Sequence, residues 1–269
     1  MRIEFLEFRI RDHHGHLQRN TGQWLEPSHF HVEPNQRVVR GVFHRTVGPT
    51  TIRPMNDSVD DPCRAIPKVV LASTSPYRKQ LLARLRIAFE AVDSGIDETR
   101  FKALALPPSE LVRILAEQKA QAVGHHHPNS LIVGGDQCVE LDGRVLGKAG
   151  TNQGAMGQLR LLSGRTHHLF TALSLLDTRS GRCDTVVDVH EMTMRPLNPR
   201  QIERYVQIDE PLDCAGSYKL ESLGIALFDR VQGDDPTAII GLPLMRLVSL
   251  LATAGYDVFA RAGSDARKA

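Results

Sequence analysis

The sequence predicts an α/β protein, and three observations carry that expectation. A β-prone apolar run, Val69-Val70-Leu71, passes through a hydroxyl-rich turn into a segment with leucines at helical spacing, Leu81, Leu82 and Leu85. A second buried-strand signal, Leu131-Ile132-Val133, delivers Gly134-Gly135-Asp136-Gln137. Between the two runs, Pro108 to about Val123 has a helical apolar stripe of Leu111, Ile114, Leu115, Ala122 and Val123.

At 269 residues and 41% hydrophobic content, the chain can bury one large core or two modest ones. A net charge of +2 advertises no broad basic face, which argues against a dedicated nucleic-acid binder. Cys63, Cys138, Cys183 and Cys214 are scattered without a CxxC pair, the pattern of reduced thiols in a cytoplasm. No apolar run is long enough to cross a bilayer, and the charged start, Met1-Arg2-Ile3-Glu4-Phe5, lacks a signal-peptide core. The expected location is therefore cytoplasmic, away from membranes.

Residues 1–66 differ from the rest. They contain no lysine, many Arg and His, the prolines Pro27, Pro34, Pro49 and Pro54, and the only tryptophan, Trp24. This segment reads as a poorly ordered extension, with Met55 as an alternative start; His13, His14 and His16 read as part of a solvated tail. Residues 67–260 form the expected domain, and 261–269 a tail.

Within the domain, Ser75 is a good N-cap and Pro76 suits the first helical position. That helix start, with Ser73, Thr74 and Ser75 beside it and Arg78 and Lys79 in its first turn, favours an anion such as phosphate. An ordinary strand–cap–helix junction is the alternative. Phe89–Val92 is a short strand before a polar turn at Asp97-Glu98. Lys119 falls on or beside the apolar stripe of the next helix, so it either snorkels or meets an anion. His125-His126-His127 ends that helix as a loop. Asp136 is expected at a strand's carboxyl end, where open α/β sheets place ligands. Cys138–Leu141 reads as a second short strand, turning at Asp142-Gly143. Thr151 caps a helix to about Leu162, and Thr166–Leu176 and Arg182–Met194 are long strands joined as a hairpin. Asn198-Pro199 starts a helix through about Val206. Ile225–Phe228 and Ile239-Ile240 read as short strands, and Leu242-Pro243 opens a last helix ending near Gly255.

Several chemistries are excluded by missing patterns. There is no G-x-x-x-x-G-K-[ST] loop, no G-x-G-x-x-G after a strand and no G-x-S-x-G elbow, and His190-Glu191 meets Met194 where a zinc peptidase needs histidine. What remains is a set of cations, Arg78, Lys119 and Lys148, that could neutralise a polyphosphate. Two acids, Glu98 and Asp136, could hold a divalent ion such as magnesium through hard oxygens.

Taken in order, L-A-S-T-S-P-Y-R at 71–78, D-E at 97–98, K-A at 119–120, G-G-D-Q at 134–137, L-G-K at 146–148, S-G-R-T-H at 163–167, A-G-S-Y-K-L-E at 215–221 and I-I-G-L-P at 239–243 resemble the Maf family of nucleotide pyrophosphatases. The resemblance runs from about Lys68 to Gly255. It implies an elongated mixed β-sheet with flanking helices and a central cleft, related to the inosine triphosphate pyrophosphatases. It also implies hydrolysis of a nucleoside triphosphate between the α and β phosphates with a divalent metal, magnesium or manganese. Asp136 matches the family's proton acceptor and Glu98 a metal-site acid; Asp136 as base and Asp136 as metal ligand both stay open. Ser73, Arg78, Lys119 and Lys148 match phosphate-contacting positions. Tyr77, Gln137 and Glu221 resemble the branch that hydrolyses 7-methyl-GTP, which often has Trp at the first of these. The thymidine and uridine triphosphate branch usually has Arg, Thr and Gln there. A cationic 7-methylguanine would stack on Tyr77, while Glu221 answers its charge and Gln137 bonds a ring edge. Ala149, where many members have Pro, is expected to loosen the Lys148 loop. The alternatives are a dTTP/UTP pyrophosphatase of the same family and a non-catalytic, nucleotide-binding regulator of cell division. A homodimer stays open as the oligomeric state.

Overall fold

The computed structural model describes residues 10–11, 17–18 and 66–263, and the chain divides into two compact units, 1–57 and 58–269. In the first, β1 (Ile10–Arg11) pairs antiparallel with β2 (Leu17–Gln18). The expected disorder of 1–66, the Met55 start, the histidine tract, Trp24 and Cys63 otherwise lie outside the described residues, as does most of the 261–269 tail.

The second unit is built on one sheet. Strand β3 (Lys68–Leu71) is fully apolar after its first residue and buried throughout that stretch. Ser75 then caps α1 (Pro76–Ala83) and Pro76 occupies its first turn, as the sequence predicts. Edge strand β4 (Phe89–Ala91) runs parallel to β3. A short helix, α2 (Thr99–Lys102), occupies what the sequence reads only as a polar turn. It is followed by α3 (Pro108–Gly124). The chain returns to the sheet as β5 (Ser130–Leu141), parallel to β3. A hairpin at Asp142 and Gly143, both in the left-handed region, leads to β6 (Arg144–Leu146).

Helix α4 (Asn152–Leu162), capped by Thr151, precedes the long antiparallel hairpin β7 (Thr166–Asp177) and β8 (Arg182–Met194). Asn198 and Gln201 form a capping box at the start of α5 (Pro199–Asp209), which carries the helix past the expected end at Val206. Residues Leu223–Leu227 form a 3₁₀ turn before β9 (Phe228–Gln232), so the strand expected at 225–228 starts only at its last residue. The expected Ile239-Ile240 strand is likewise a 3₁₀ turn, Ala238–Ile240. Apolar pairs of that length carry no periodicity that separates the two states. Helix α6 (Leu244–Thr253) and a short α7 (Val258–Arg261) follow.

The sheet order is β4-β3-β5-β7-β8-β9, with β6 on the free end of β5. It is parallel at β4-β3-β5 and antiparallel elsewhere. On β5 the two faces differ. Even-numbered residues face α3, whose Ala116 and Ala120 lie against Gly134. Odd-numbered residues build two separate apolar clusters. Leu131 and Val133 join Leu81, Leu82, Leu247 and Leu251, while Val139 and Leu141 join Leu159, Met192, Ile202 and Tyr205. Between the clusters stand Gly135 and Gln137, with Thr171 opposite Gln137 on β7. The apolar face is therefore interrupted at its middle by polar groups, and the site lies at that interruption. Among the described residues, no helix is long and apolar enough to cross a membrane, and Cys138, Cys183 and Cys214 are free thiols.

The contact at Gly134 gives a direct test. A Cβ there would stand 2.1 Å from the Ala116 carbonyl oxygen, so Gly134→Ala must push α3 off the sheet. Overpacking of this kind costs about 1–3 kcal/mol, which urea denaturation will read as a lowered midpoint. Gly135→Ala, whose Cβ would meet the Arg78 side chain at 3.3 Å, is expected to cost less stability than Gly134→Ala.

Candidate active site

The cavity arises from how β5 is paired. One edge is hydrogen-bonded to β7 across residues 131–140. The other edge pairs with β3 through Val133 and with β6 from Val139 onward. Residues 134–138 have no strand beside them on that edge. The reason is local to β3. Ala72 donates to the Val133 carbonyl at 2.8 Å, then Ser73 turns back on Leu71 and the chain leaves the sheet for α1. The gap opens into a cavity of about 890 Å³. Its walls include every residue singled out from the sequence: Ser73, Tyr77, Arg78, Glu98, Lys119, Asp136, Gln137, Lys148 and Glu221. Asp136 does not end a strand as expected. β5 runs straight through Gly134-Gly135-Asp136-Gln137, and the carboxyl end beside Asp136 belongs to β3.

Asp136 is nearly buried, and so is Lys119. The Lys119 ammonium donates to Asp136 Oδ1 at 2.6 Å and to Glu98 Oε1 at 2.7 Å. Lys102, on α2, donates to the other oxygen of Glu98 at 2.7 Å. Burial works to raise the Glu98 carboxyl, but hydrogen bonds from Lys102 and Lys119 outweigh it and hold the group at about 2. The lysine on the α3 stripe thus meets an anion rather than snorkelling to water.

Arg78 projects from the first turn of α1 over Gly135, which a side chain there would crowd. Its Nε donates to the Gly241 carbonyl at 2.9 Å and one terminal nitrogen reaches Ser73 Oγ at 3.4 Å. Burial lowers the guanidinium's proton affinity, while Asp136 and Glu98 raise it. Lys148 is exposed on the opposite lip. Its loop is tied to the 212–215 segment. Lys148 bridges Ala215, Gly150 donates to the Leu212 carbonyl at 2.9 Å, and Ala149 packs against the second apolar cluster.

At the other end, Tyr77 is half-buried and its hydroxyl donates to Asp213 Oδ1 at 3.2 Å. The Lys219 ammonium stands 5.7 Å from the Tyr77 ring centroid. Burial, with Cys214 and Asp213 nearby, raises the Tyr77 hydroxyl, and burial also pushes the Cys214 thiol up to about 12. The Glu221 carboxyl is raised by burial and by Asp209 and Asp213, against the pull of its own backbone hydrogen bond and Lys219. Gln137 differs from expectation. Its amide nitrogen donates to Thr171 Oγ1 at 2.9 Å and to the carbonyls of Ala238 at 2.9 Å and Ile239 at 3.1 Å. The donors are committed to the fold, and a ligand would meet Gln137 through its carbonyl oxygen.

Sequence reasoning missed Lys102, Thr171, Asp213 and the backbone of 238–241. Lys219 was inside a quoted motif without a role. Only Lys102 had a sequence signal, its position four residues after Glu98. Among the described residues no group of three or more His, Cys, Asp or Glu could hold a metal ion. Two carboxylates gathered on one ammonium, Glu98 and Asp136, are nonetheless a hard-oxygen pair. They suit a divalent ion such as magnesium that takes its other ligands from water and phosphate.

Residues 68–254 match the family model described as Maf-like protein. The chain is 48% identical over 200 residues to a 7-methyl-GTP pyrophosphatase of Nitrosococcus oceani, covering 73% of this chain and 98% of that protein. It is 46% identical to one of Cupriavidus pinatubonensis, covering 72% and 97%, and 45% identical to one of Xanthomonas oryzae pv. oryzae, covering 72% and 100%.

The depressed Glu98 carboxyl makes stability depend on acid. Its folded value of about 2 lies below its ordinary 4.5, so the stabilisation is complete above 4.5 and is lost as pH falls toward 2. Thermal melts of wild type and Glu98→Gln are therefore expected to differ most above about pH 5 and to converge as the pH falls from about 4.5 toward 2.

Proposed function

The chain belongs to the Maf family, and we propose that it is a nucleoside triphosphate pyrophosphatase that converts 7-methyl-GTP to 7-methyl-GMP and diphosphate. The observation that carries this reading is the single cavity. Ser73, Arg78, Glu98, Lys119, Asp136 and Lys148 line it together with Tyr77, Asp213 and Glu221. The curated relatives named above carry the same activity in their names.

In this mechanism Arg78, Lys119 and Lys148 receive the phosphates. Ser73 and the capped start of α1 add hydrogen-bond donors for the same oxygens. Charge on the polyphosphate otherwise repels an attacking water, and fixed cations remove that repulsion most fully where charge builds in the transition state. Lys119, held by two carboxylates in the free protein, is drawn toward the phosphates, which releases Asp136. The water forms the new P–O bond, its proton passes to the Asp136 carboxylate, the α–β bridging bond breaks, and diphosphate leaves. Base help of this type is worth about 10²–10⁴-fold. Glu98 and Asp136 would hold a divalent ion, magnesium or manganese, which supplies further positive charge to the phosphate oxygens. The methylated base lies between Tyr77 and Glu221, with the Gln137 carbonyl oxygen as acceptor. We place the activity in the cytoplasm, where it removes a modified nucleotide from the pool.

A panel of triphosphates with magnesium or manganese, read by diphosphate release, is expected to rank 7-methyl-GTP first; preference for dTTP or UTP rejects this substrate. Asp136→Asn is expected to lose at least about 10²-fold in turnover with an unaltered circular dichroism spectrum. Glu221→Gln is expected to lose more on 7-methyl-GTP than on GTP, and equal losses would remove Glu221 from base readout.

A further inference from the structure

Asp213 is exposed at the cavity wall, four residues after the carboxyl end of α5, and accepts the Tyr77 hydroxyl. We propose that Asp213 is a specificity-determining residue, which positions Tyr77 and supplies a second negative charge beside Glu221 for a cationic base. This rests on the substrate reading above and extends it to a residue outside the family's three specificity positions.

Tyrosine offers a weaker cation–π face than tryptophan. A phenol that donates to a carboxylate leans its proton outward and leaves its ring richer in electrons, which strengthens that face. The hydrogen bond also fixes the ring's rotation. Lys219 adds to this arrangement. Its ammonium stands 5.7 Å from the Tyr77 ring centroid, and the residue lies near the hydroxyl's partner, Asp213, in sequence. It is itself anchored on the carbonyls of Asp209 at 2.8 Å and Glu210 at 3.3 Å, at the carboxyl end of α5. The ring thus lines the cavity with an acid fixed at its hydroxyl.

Charge points the same way. Asp213 and Glu221 line the same cavity. The Glu221 carboxyl is raised first by burial and then by Asp209 and Asp213, against its own backbone hydrogen bond and Lys219, so the neighbouring acids add to the cost of keeping it ionised. A positive ring placed between Tyr77 and Glu221 relieves that cost, whereas a neutral guanine does not. A ligand with a cationic head and an anionic tail therefore finds Asp213 and Glu221 for the one and Arg78, Lys119 and Lys148 for the other, all of which line the cavity.

The test is equilibrium titration of the full chain with 7-methyl-GMP and with GMP, which needs no turnover. In wild type 7-methyl-GMP is expected to bind more tightly. In Asp213→Asn, which keeps an acceptor oxygen but loses the charge, the preference for the methylated base is expected to fall about five- to tenfold. Asp213→Glu is expected to restore most of it, and Tyr77→Phe, which keeps ring and acid but breaks their bond, to lose about two- to threefold. A preference that stays within twofold of wild type in Asp213→Asn, or a wild type without preference, overturns the proposal. If instead hydrolysis favours dTTP or UTP while the monophosphate preference still depends on Asp213, the substrate reading fails and this assignment stands.

Discussion

The interaction on which the rest of this site depends is one ammonium shared by two carboxylates. Buried charges are tolerated only when paired and hydrogen-bonded, and Lys119, Asp136 and Glu98 satisfy one another at 2.6 and 2.7 Å. Each comes from a different element: the middle of α3, the middle of β5 and the start of α2. Their mutual attraction fixes how deep α3 sits on the sheet and draws the 97–102 turn over the gap in β5. Against burial, the same pairing, with Lys102, holds the Glu98 carboxyl at about 2. Without ligand the two acids are neutralised from within, and an incoming polyanion has to win Lys119 away from them.

The cavity is a consequence of strand lengths. β5 continues for 12 residues, but β3 beside it stops after four because the serine-rich turn starts a helix. Where β3 leaves and before β6 arrives, β5 has no neighbour, and the small Gly134-Gly135 pair lets α3 press on one face and Arg78 on the other. On the face away from α3, Gln137 and Thr171 separate the two apolar clusters and bond the carbonyls of Ala238 and Ile239.

Much of this was legible from residue order. Strands at 68–71, 166–177 and 182–194 and the capped helices at 76, 152 and 199 carry strong local signals, either alternation or Ser, Thr and Asn caps. The segments at 223–227 and 238–240 do not, because two or three apolar residues fit a strand or a 3₁₀ turn equally. The continuity of β5 was hidden by its glycines, which usually end strands but here admit close neighbours. Site residues with distinctive chemistry, such as Asp136 and Lys148, were visible through ordered motifs. Asp213 and Thr171 were not, because their importance lies in which side chain folding brings opposite them, and Lys102 showed only its spacing from Glu98. Gln137 lines the cavity, but its donors are turned inward to Thr171 and to the carbonyls of Ala238 and Ile239.

Arg78 shows what a planar cation gives that a point charge would not. Its Nε is committed to the Gly241 carbonyl, which roots the side chain in the segment leading to α6. The nitrogens at the far end of the same rigid fork remain for an anion. One side chain is therefore both mooring and hook. A lysine could supply the charge but would have to let go of the mooring to use it.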